Sequence, residues 1–402
     1  MDWRRPAAAL AVLVAVLTVP APARAAVVCE QPGAAAPVAA GVPTEDQVYD
    51  PKRLAGFATG AGVRVAVIDS GVDAEHPQLR GRVDEGADFL HGEQTGRQDC
   101  AGHGTAVASI IGAAPAGNTG FQGLAPDAVI VPVRISEQLE IGGDVVGDRG
   151  TPAQFADAID WAVGEGDADV INLSLVMTEN NDDVKAAVAR AIAAGVVVVA
   201  AVGNKGGPDD GNPDPFPARY PGVIGVGAIT SSGVRASFSQ RGDYVDLVAI
   251  GEPVTVANRV SGHASVSGTS FATPFVSATA ALLKQRFPAI TPAQVRQRIV
   301  ATADPVPGGA SSAEYGLGAL NPYRALTATL NTEGRAEPVP ERMGTNDPAA
   351  VALAARREQS QRNALLFAAI GGGVVLLLGI VAVVVRSGRR RAWHPADPGP
   401  TD

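Results

Sequence analysis

Three side chains of the kinds that carry out acyl transfer stand in short, glycine-marked blocks far apart along the chain. Asp69 lies in Val67-Ile68-Asp69-Ser70-Gly71-Val72-Asp73, His103 in Gly102-His103-Gly104-Thr105-Ala106-Val107-Ala108, and Ser270 in Gly268-Thr269-Ser270-Phe271-Ala272-Thr273-Pro274. A serine hydroxyl attacks a carbonyl carbon only when a base takes its proton, and an imidazole has the ordinary pKa for that task. A carboxylate on the other ring nitrogen would fix the tautomer and stabilise the imidazolium that forms. The tetrahedral oxyanion then needs donors. The Asn204 amide in Val202-Gly203-Asn204 and the N–H of Ser270, at the start of a helical stretch, are the candidates. Singly, each residue has ordinary structural uses: an aspartate after a strand is a turn residue, a serine a helix cap, an asparagine a loop residue tolerant of left-handed dihedrals. Their conjunction points to chemistry. His76, His91, His263 and His394 have no such setting and are expected to be structural or solvated, while Asp73 is expected to support the aspartate loop.

Elements able to position these groups are legible around them. Val63–Ile68 is an apolar run ending at Asp69, and similar runs recur at Ala128–Val133, Val170–Leu175, Val196–Val202 and Val223–Val226. Near-continuous apolarity bounded by Gly, Pro, Asn or Asp is what a parallel strand covered on both faces requires. Helical segments alternate with them. Thr151-Pro152-Ala153-Gln154 and Thr291-Pro292-Ala293-Gln294 are capping boxes with proline at the first helical position, and 183–194 is a helix stopped by Gly195. Ser270–Phe287 is small or apolar on nearly all sides, the mark of a buried central helix, with Pro274 near its start. The alternation predicts an α/β fold, a doubly wound parallel sheet with helices on both faces. Asp69, Asn204 and the segment before Leu175 then share the carboxyl edge of the sheet, where ligands bind.

The two ends of the chain carry different signals. Arg4 and Arg5, an apolar run from Ala7 to Val19, and Ala21-Pro22-Ala23-Arg24-Ala25 read as a secretory signal peptide over 1–25. Residues 26–61 are Pro/Ala-rich and are expected to form an extended arm, 62–326 the globular domain, and 327–364 a linker and juxtamembrane segment. Leu365–Val385 is uncharged and would span about 30 Å as a helix, the thickness of a bilayer core. Arg386, Arg389, Arg390 and Arg391 follow it in a tail at 386–402. Export of the N-terminus would leave the globular domain outside the cell membrane and the tail in the cytoplasm. The 2 cysteines, Cys29 and Cys100, both fall in the exported part. A disulfide closing a loop of about seventy residues is the natural reading, typically worth about 2–4 kcal/mol. Two free thiols are the alternative, and a metal site lacks a ligand cluster. A net charge of -9 with no long basic tract in the globular part speaks against a nucleic-acid partner. No cofactor or metal is expected; the acidic loops Asp144–Asp148 and Asp209–Asp214 read as solvated.

The blocks around Asp69 (continued by His76-Pro77), His103 and Ser270, with Val202-Gly203-Asn204, resemble the aspartate, histidine, serine and oxyanion blocks of the subtilisin family, in that family's order, over residues 60–326. The resemblance implies a subtilisin-like serine protease in which Asp69, His103 and Ser270 form the triad and Asn204 the side-chain half of the oxyanion hole. It also places Ser174, Leu175 and Val176 along the substrate pocket, and here the sequence departs from the family. Where members commonly have Ser-Leu-Gly-Gly, this chain has Ser174-Leu175-Val176-Met177. Two side chains in place of two glycines imply a narrower pocket, preference for small residues before the cut and weak activity on unfolded general substrates; efficient cleavage after large aromatic residues would contradict this.

Fewer than about forty residues separate the expected signal cleavage from Val63, too few for a compact folding-assisting pro-domain. A signal peptide, a short strapped arm, a catalytic domain, a Pro-containing linker and one C-terminal membrane helix together resemble the mycosins. That resemblance implies a place beside the type VII secretion membrane complex of actinobacteria, with protein or peptide substrates. Two functions follow: an endopeptidase processing exported proteins, or a subunit that stabilises the complex with dispensable proteolysis.

Overall fold

Each apolar run expected to be a strand is one in the computed structural model, which describes residues 34–92, 95–141, 144–306 and 311–330. The strands are β1 (Arg64–Asp69), β2 (Ala87–Asp88), β3 (Val129–Arg134), β4 (Leu139–Ile141), β5 (Asp144–Val146), β6 (Val170–Leu173), β7 (Val197–Ala201), β8 (Ile224–Thr230), β9 (Leu247–Glu252), β10 (Val254–Ala257) and β11 (His263–Val266). The helices are α1 (Thr44–Tyr49), α2 (Pro51–Leu54), α3 (His103–Gly112), α4 (Pro152–Val163), α5 (Asp182–Ala193), α6 (Thr269–Arg286), α7 (Pro292–Ala301) and α8 (Pro322–Thr327). The signal peptide, Cys29 and the first part of the arm, most of the linker, the apolar segment 365–385 and the basic tail lie outside the described residues. Among the described residues no helix is long and apolar enough to cross a membrane.

Seven strands form one sheet in the order β2-β3-β1-β6-β7-β8-β9, and every neighbouring pair is parallel. β4–β5 and β10–β11 are separate antiparallel hairpins. The pleat sorts side chains by parity. Val65 and Val67 of β1 and Val197 and Val199 of β7 join the apolar cluster that contains residues of α3, α6 and α7. Ala66, Ile68, Val198 and Ala200 join the cluster that contains residues of α4 and α5. Both faces of the sheet are therefore covered, which is why its strands read as unbroken apolar runs. The same parity assigns Asp69, two residues on from Val67, to the α3/α6 face.

Both expected capping boxes are present, Thr151 and Thr291 each accepting from the amide three residues on, while Gln154 and Gln294 reach back. The arm differs from expectation. Described from residue 34, it is not extended throughout but winds into α1 and α2. Two of its prolines, which suggest broken structure, occupy the places a helix start tolerates: Pro43 is the N-cap of α1 and Pro51 the first residue of α2, behind an Asp50 side chain that accepts from Arg53 N. The arm is tied along its length to the domain. Ala36 N donates to the Ser261 carbonyl at 3.0 Å, and Ala39 N to His263 Nδ1 at 3.0 Å. Thr255 N donates to Glu45 at 2.6 Å, and Ile250 N to the Tyr49 hydroxyl at 2.9 Å.

Candidate active site

β1 delivers Asp69 to the carboxyl edge of the sheet with its side chain 1% exposed. α3 begins at His103, and the close seating of that helix on the aspartate loop depends on Gly104, where a Cβ would collide with the Gly71 carbonyl. His103 Nδ1 lies 2.7 Å from Asp69 Oδ1, which also accepts from Ser70 N at 2.7 Å. A carboxylate can only accept, so Nδ1 carries the proton and Nε2 keeps its lone pair. The His103 ring is tilted against Phe271 at a centroid distance of 5.3 Å. Burial by itself would lower the imidazole's pKa. The Asp69 charge and hydrogen bond, with the charge of Asp99 adding to them, outweigh it and hold His103 above its ordinary value.

Ser270 is the second residue of α6, a helix buried over almost its whole length. Pro274 lies deeper in that helix than the sequence pattern implies. It is the sixth residue, so its missing N–H leaves a gap in the ladder at the carbonyl four residues back, that of Ser270. The Ser174 hydroxyl fills the gap, donating to the Ser270 carbonyl at 2.8 Å. Ser174 Oγ in turn accepts from Asn172 Nδ2 at 3.0 Å, and Asn172 Oδ1 accepts from Ser277 Oγ at 2.8 Å. This chain of side chains clamps α6 to β6 and fixes the height of Ser270 above the sheet. The Ser270 hydroxyl donates to the Ser174 carbonyl at 3.1 Å. No hydrogen bond joins it to His103, so of the three side chains expected to meet, the first two are bonded and the third shares their cleft.

Asn204 follows β7 through Gly203, whose φ of 95° and contact with Gln240 leave no room for a side chain. Its Oδ1 accepts from Thr269 N at 2.9 Å and from Thr269 Oγ1 at 2.8 Å. With the oxygen held by two donors, Nδ2 is left as the free donor end. Thr269 is thus part of the site's support. In the sequence it reads only as the residue before Ser270.

Asp69, His103, Ser174, Leu175, Val176, Asn204 and Ser270 all line one cleft of about 700 Å³. Met177 does not. It is buried in the α4/α5-side core, pairs its backbone with Phe216 and lines a neighbouring cavity of about 310 Å³. Of the two side chains that stand where family members commonly have glycines, only Val176 lines the cleft that holds Ser270. Cys100 is described, three residues before His103, whereas its expected partner Cys29 is outside the described residues.

Residues 60–318 match the family model described as the Subtilase family, Peptidase S8. The chain belongs to the subtilase family. This subtilase is 39% identical over 265 residues to subtilisin E of Bacillus subtilis, a match spanning 65% of this chain and 65% of that protein. It is 40% identical over 316 residues to Mycosin-1 of Mycobacterium tuberculosis, covering 67% of this chain and 70% of the relative. Among solved structures, MycP1 from Mycobacterium smegmatis aligns with a TM-score of 0.62 at 33% identity, over 77% of this chain and 91% of that one. The MycP3 protease from the type VII (ESX-3) secretion system aligns with a TM-score of 0.59 at 29% identity, over 72% of this chain and 91% of that one. The subtilase domain is thus of the subtilisin-like serine protease type and related to the mycosins of type VII secretion.

Proposed function

We propose that this subtilase is a membrane-anchored, extracytoplasmic serine endopeptidase that processes exported proteins beside a type VII secretion complex. The hydrogen bond between Asp69 Oδ1 and His103 Nδ1 carries the catalytic part of the reading, because it presents the Nε2 lone pair to the cleft that holds Ser270 and Asn204. In this mechanism the Ser270 hydroxyl leaves the Ser174 carbonyl and turns to Nε2. Its oxygen then bonds to the substrate carbonyl carbon while its proton passes to His103. The oxyanion takes hydrogen bonds from Ser270 N and Asn204 Nδ2. His103 returns the proton to the departing amine, and water cleaves the acyl-serine ester by the same steps in reverse.

Replacement Asn204→Ala removes one of two oxyanion donors and is expected to lower kcat by about 10²–10³ with little change in KM. Steady-state kinetics on a peptide substrate would show it, and a rise in KM at constant kcat would instead place Asn204 in ground-state binding. Anchoring rests on the apolar segment 365–385, export on the N-terminal pattern at 1–25, the strap on a Cys29–Cys100 bridge, and the secretion role on similarity to Mycosin-1 and the MycP proteins. Labelling of the full chain in its membrane by a serine-directed fluorophosphonate, lost in Ser270→Ala, tests the enzyme. Complementation of a secretion-deficient strain by the same variant tests whether proteolysis matters to secretion: full rescue would leave the stabilising role as the one that secretion needs.

A further inference from the structure

A second carboxylate, buried and absent from the mechanism above, ties together the two segments that meet at the Asp69–His103 pair. Asp99 is 4% exposed. Its Oδ1 accepts from the Ser70 hydroxyl at 2.9 Å and from Gly102 N at 2.7 Å. Its Oδ2 accepts from Thr105 N at 2.8 Å and from the Thr105 hydroxyl at 2.6 Å. Ser70 follows Asp69 directly, while Gly102 and Thr105 flank His103. The two hydroxyls extend the network, since Ser70 Oγ accepts from Gly104 N at 2.8 Å and Thr105 Oγ1 from Asp73 N at 2.9 Å. Gly102, the N-cap of α3, has no side chain to satisfy the first-turn amides, and Asp99 supplies the carboxylate from three residues upstream.

We infer that Asp99 is a positioning residue for catalysis, holding the aspartate loop and the histidine helix in register so that Asp69 and His103 stay in hydrogen-bonding geometry. The inference rests on the protease reading above. Four donors satisfy the buried carboxylate, and its charge sits at the N-terminus of a ten-residue helix, where the peptide dipoles favour it. Burial nonetheless raises its own pKa, against the pull of those hydrogen bonds. The negative charges acting on the His103 ring come from Asp69 first and Asp99 second. Arg149, Lys205 and Asp210 are the other charged groups lining the cleft. Asp99 thus has two separable effects, one geometric and one through charge.

Active-site titration with a fluorophosphonate, followed by kinetics per titrated serine in the full-length protein, separates positioning from loss of folded material. Asp99→Asn puts an amide NH₂ where donors converge. Its kcat per titrated serine is expected to fall about 10²-fold, the scale of a misplacement of about 1 Å, with KM unchanged. Its pH–rate midpoint is expected to move down, because a charge that favours the imidazolium is gone. Thr105→Val removes two of the bonds and keeps the charge, so kcat should fall by a smaller factor with the midpoint unmoved. Wild-type kcat and midpoint in Asp99→Asn would overturn the inference. If that variant does not fold, wild-type kcat in both Thr105→Val and Ser70→Ala would overturn it equally. A wild-type chain that reacts with no fluorophosphonate would sink the protease reading and this inference with it.

Discussion

Replacing Ser270 by alanine is expected to lower kcat by about 10⁶ and to abolish fluorophosphonate labelling, while leaving the fold and the Asp69–His103 hydrogen bond in place. The size of the effect follows from what remains. Without the hydroxyl there is no acyl-enzyme, and the free donors at Asn204 Nδ2 and Ser270 N can only polarise a carbonyl for attack by water, worth about 10³–10⁴ over the uncatalysed reaction. The lost hydroxyl donates to the Ser174 carbonyl in the resting structure, a single hydrogen bond worth about 1 kcal/mol, so thermal stability should change little. In the proposed mechanism the three side chains act as a unit, so a Ser270→Ala/Asp69→Asn double variant should be no slower than Ser270→Ala alone. Additive losses in the double variant would show that Ser270 and Asp69 act independently.

Asp69→Asn is expected to cost about 10⁴ in kcat and to shift the pH profile, a combination that mere loss of stability does not produce. The amide can donate to His103 Nδ1, and then the ring proton sits on Nε2, where a lone pair is needed. The pH dependence follows from the signs. In the proposed mechanism the base form of His103 is the active one, and its pKa is held above the ordinary 6.5, so activity is expected to climb with pH to a midpoint above that value. Removing Asp69 takes away the largest raising influences and leaves burial, which lowers the pKa, opposed only by the charge of Asp99; the midpoint should therefore fall relative to the wild type. A pH series of kcat/KM for both proteins decides it. An unmoved midpoint would mean that another group governs the profile.

Much of this arrangement is legible before any coordinates. The strands announce themselves because a sheet covered on both faces admits no polar alternation, and Asp69 stands where the apolar run of β1 stops. The two capping boxes mark α4 and α7 to the residue. Other features depend on contacts between segments distant in sequence. α3 opens with His103 between two glycines, a composition that reads as loop, and its helical start is secured by an aspartate outside the helix. Asn204 has Nδ2 left as its donor end because Thr269, 65 positions away, holds the amide oxygen. Met177 looks equivalent to Val176 along the chain, yet backbone pairing with Phe216 turns it into the core. The arm misleads for a local reason, since Pro43 and Pro51 fall at helix starts and not inside helices.

The proline in α6 makes residues 174 and 274 answerable to each other. The Ser174 hydroxyl matters here because no helical N–H reaches the carbonyl it serves. Were position 274 occupied by an ordinary residue, the returning amide would compete for that oxygen and most of the reason for a hydroxyl at 174 would vanish. Tolerance to change at either site is then conditional on the other, and a mutational scan taken one position at a time would misjudge both.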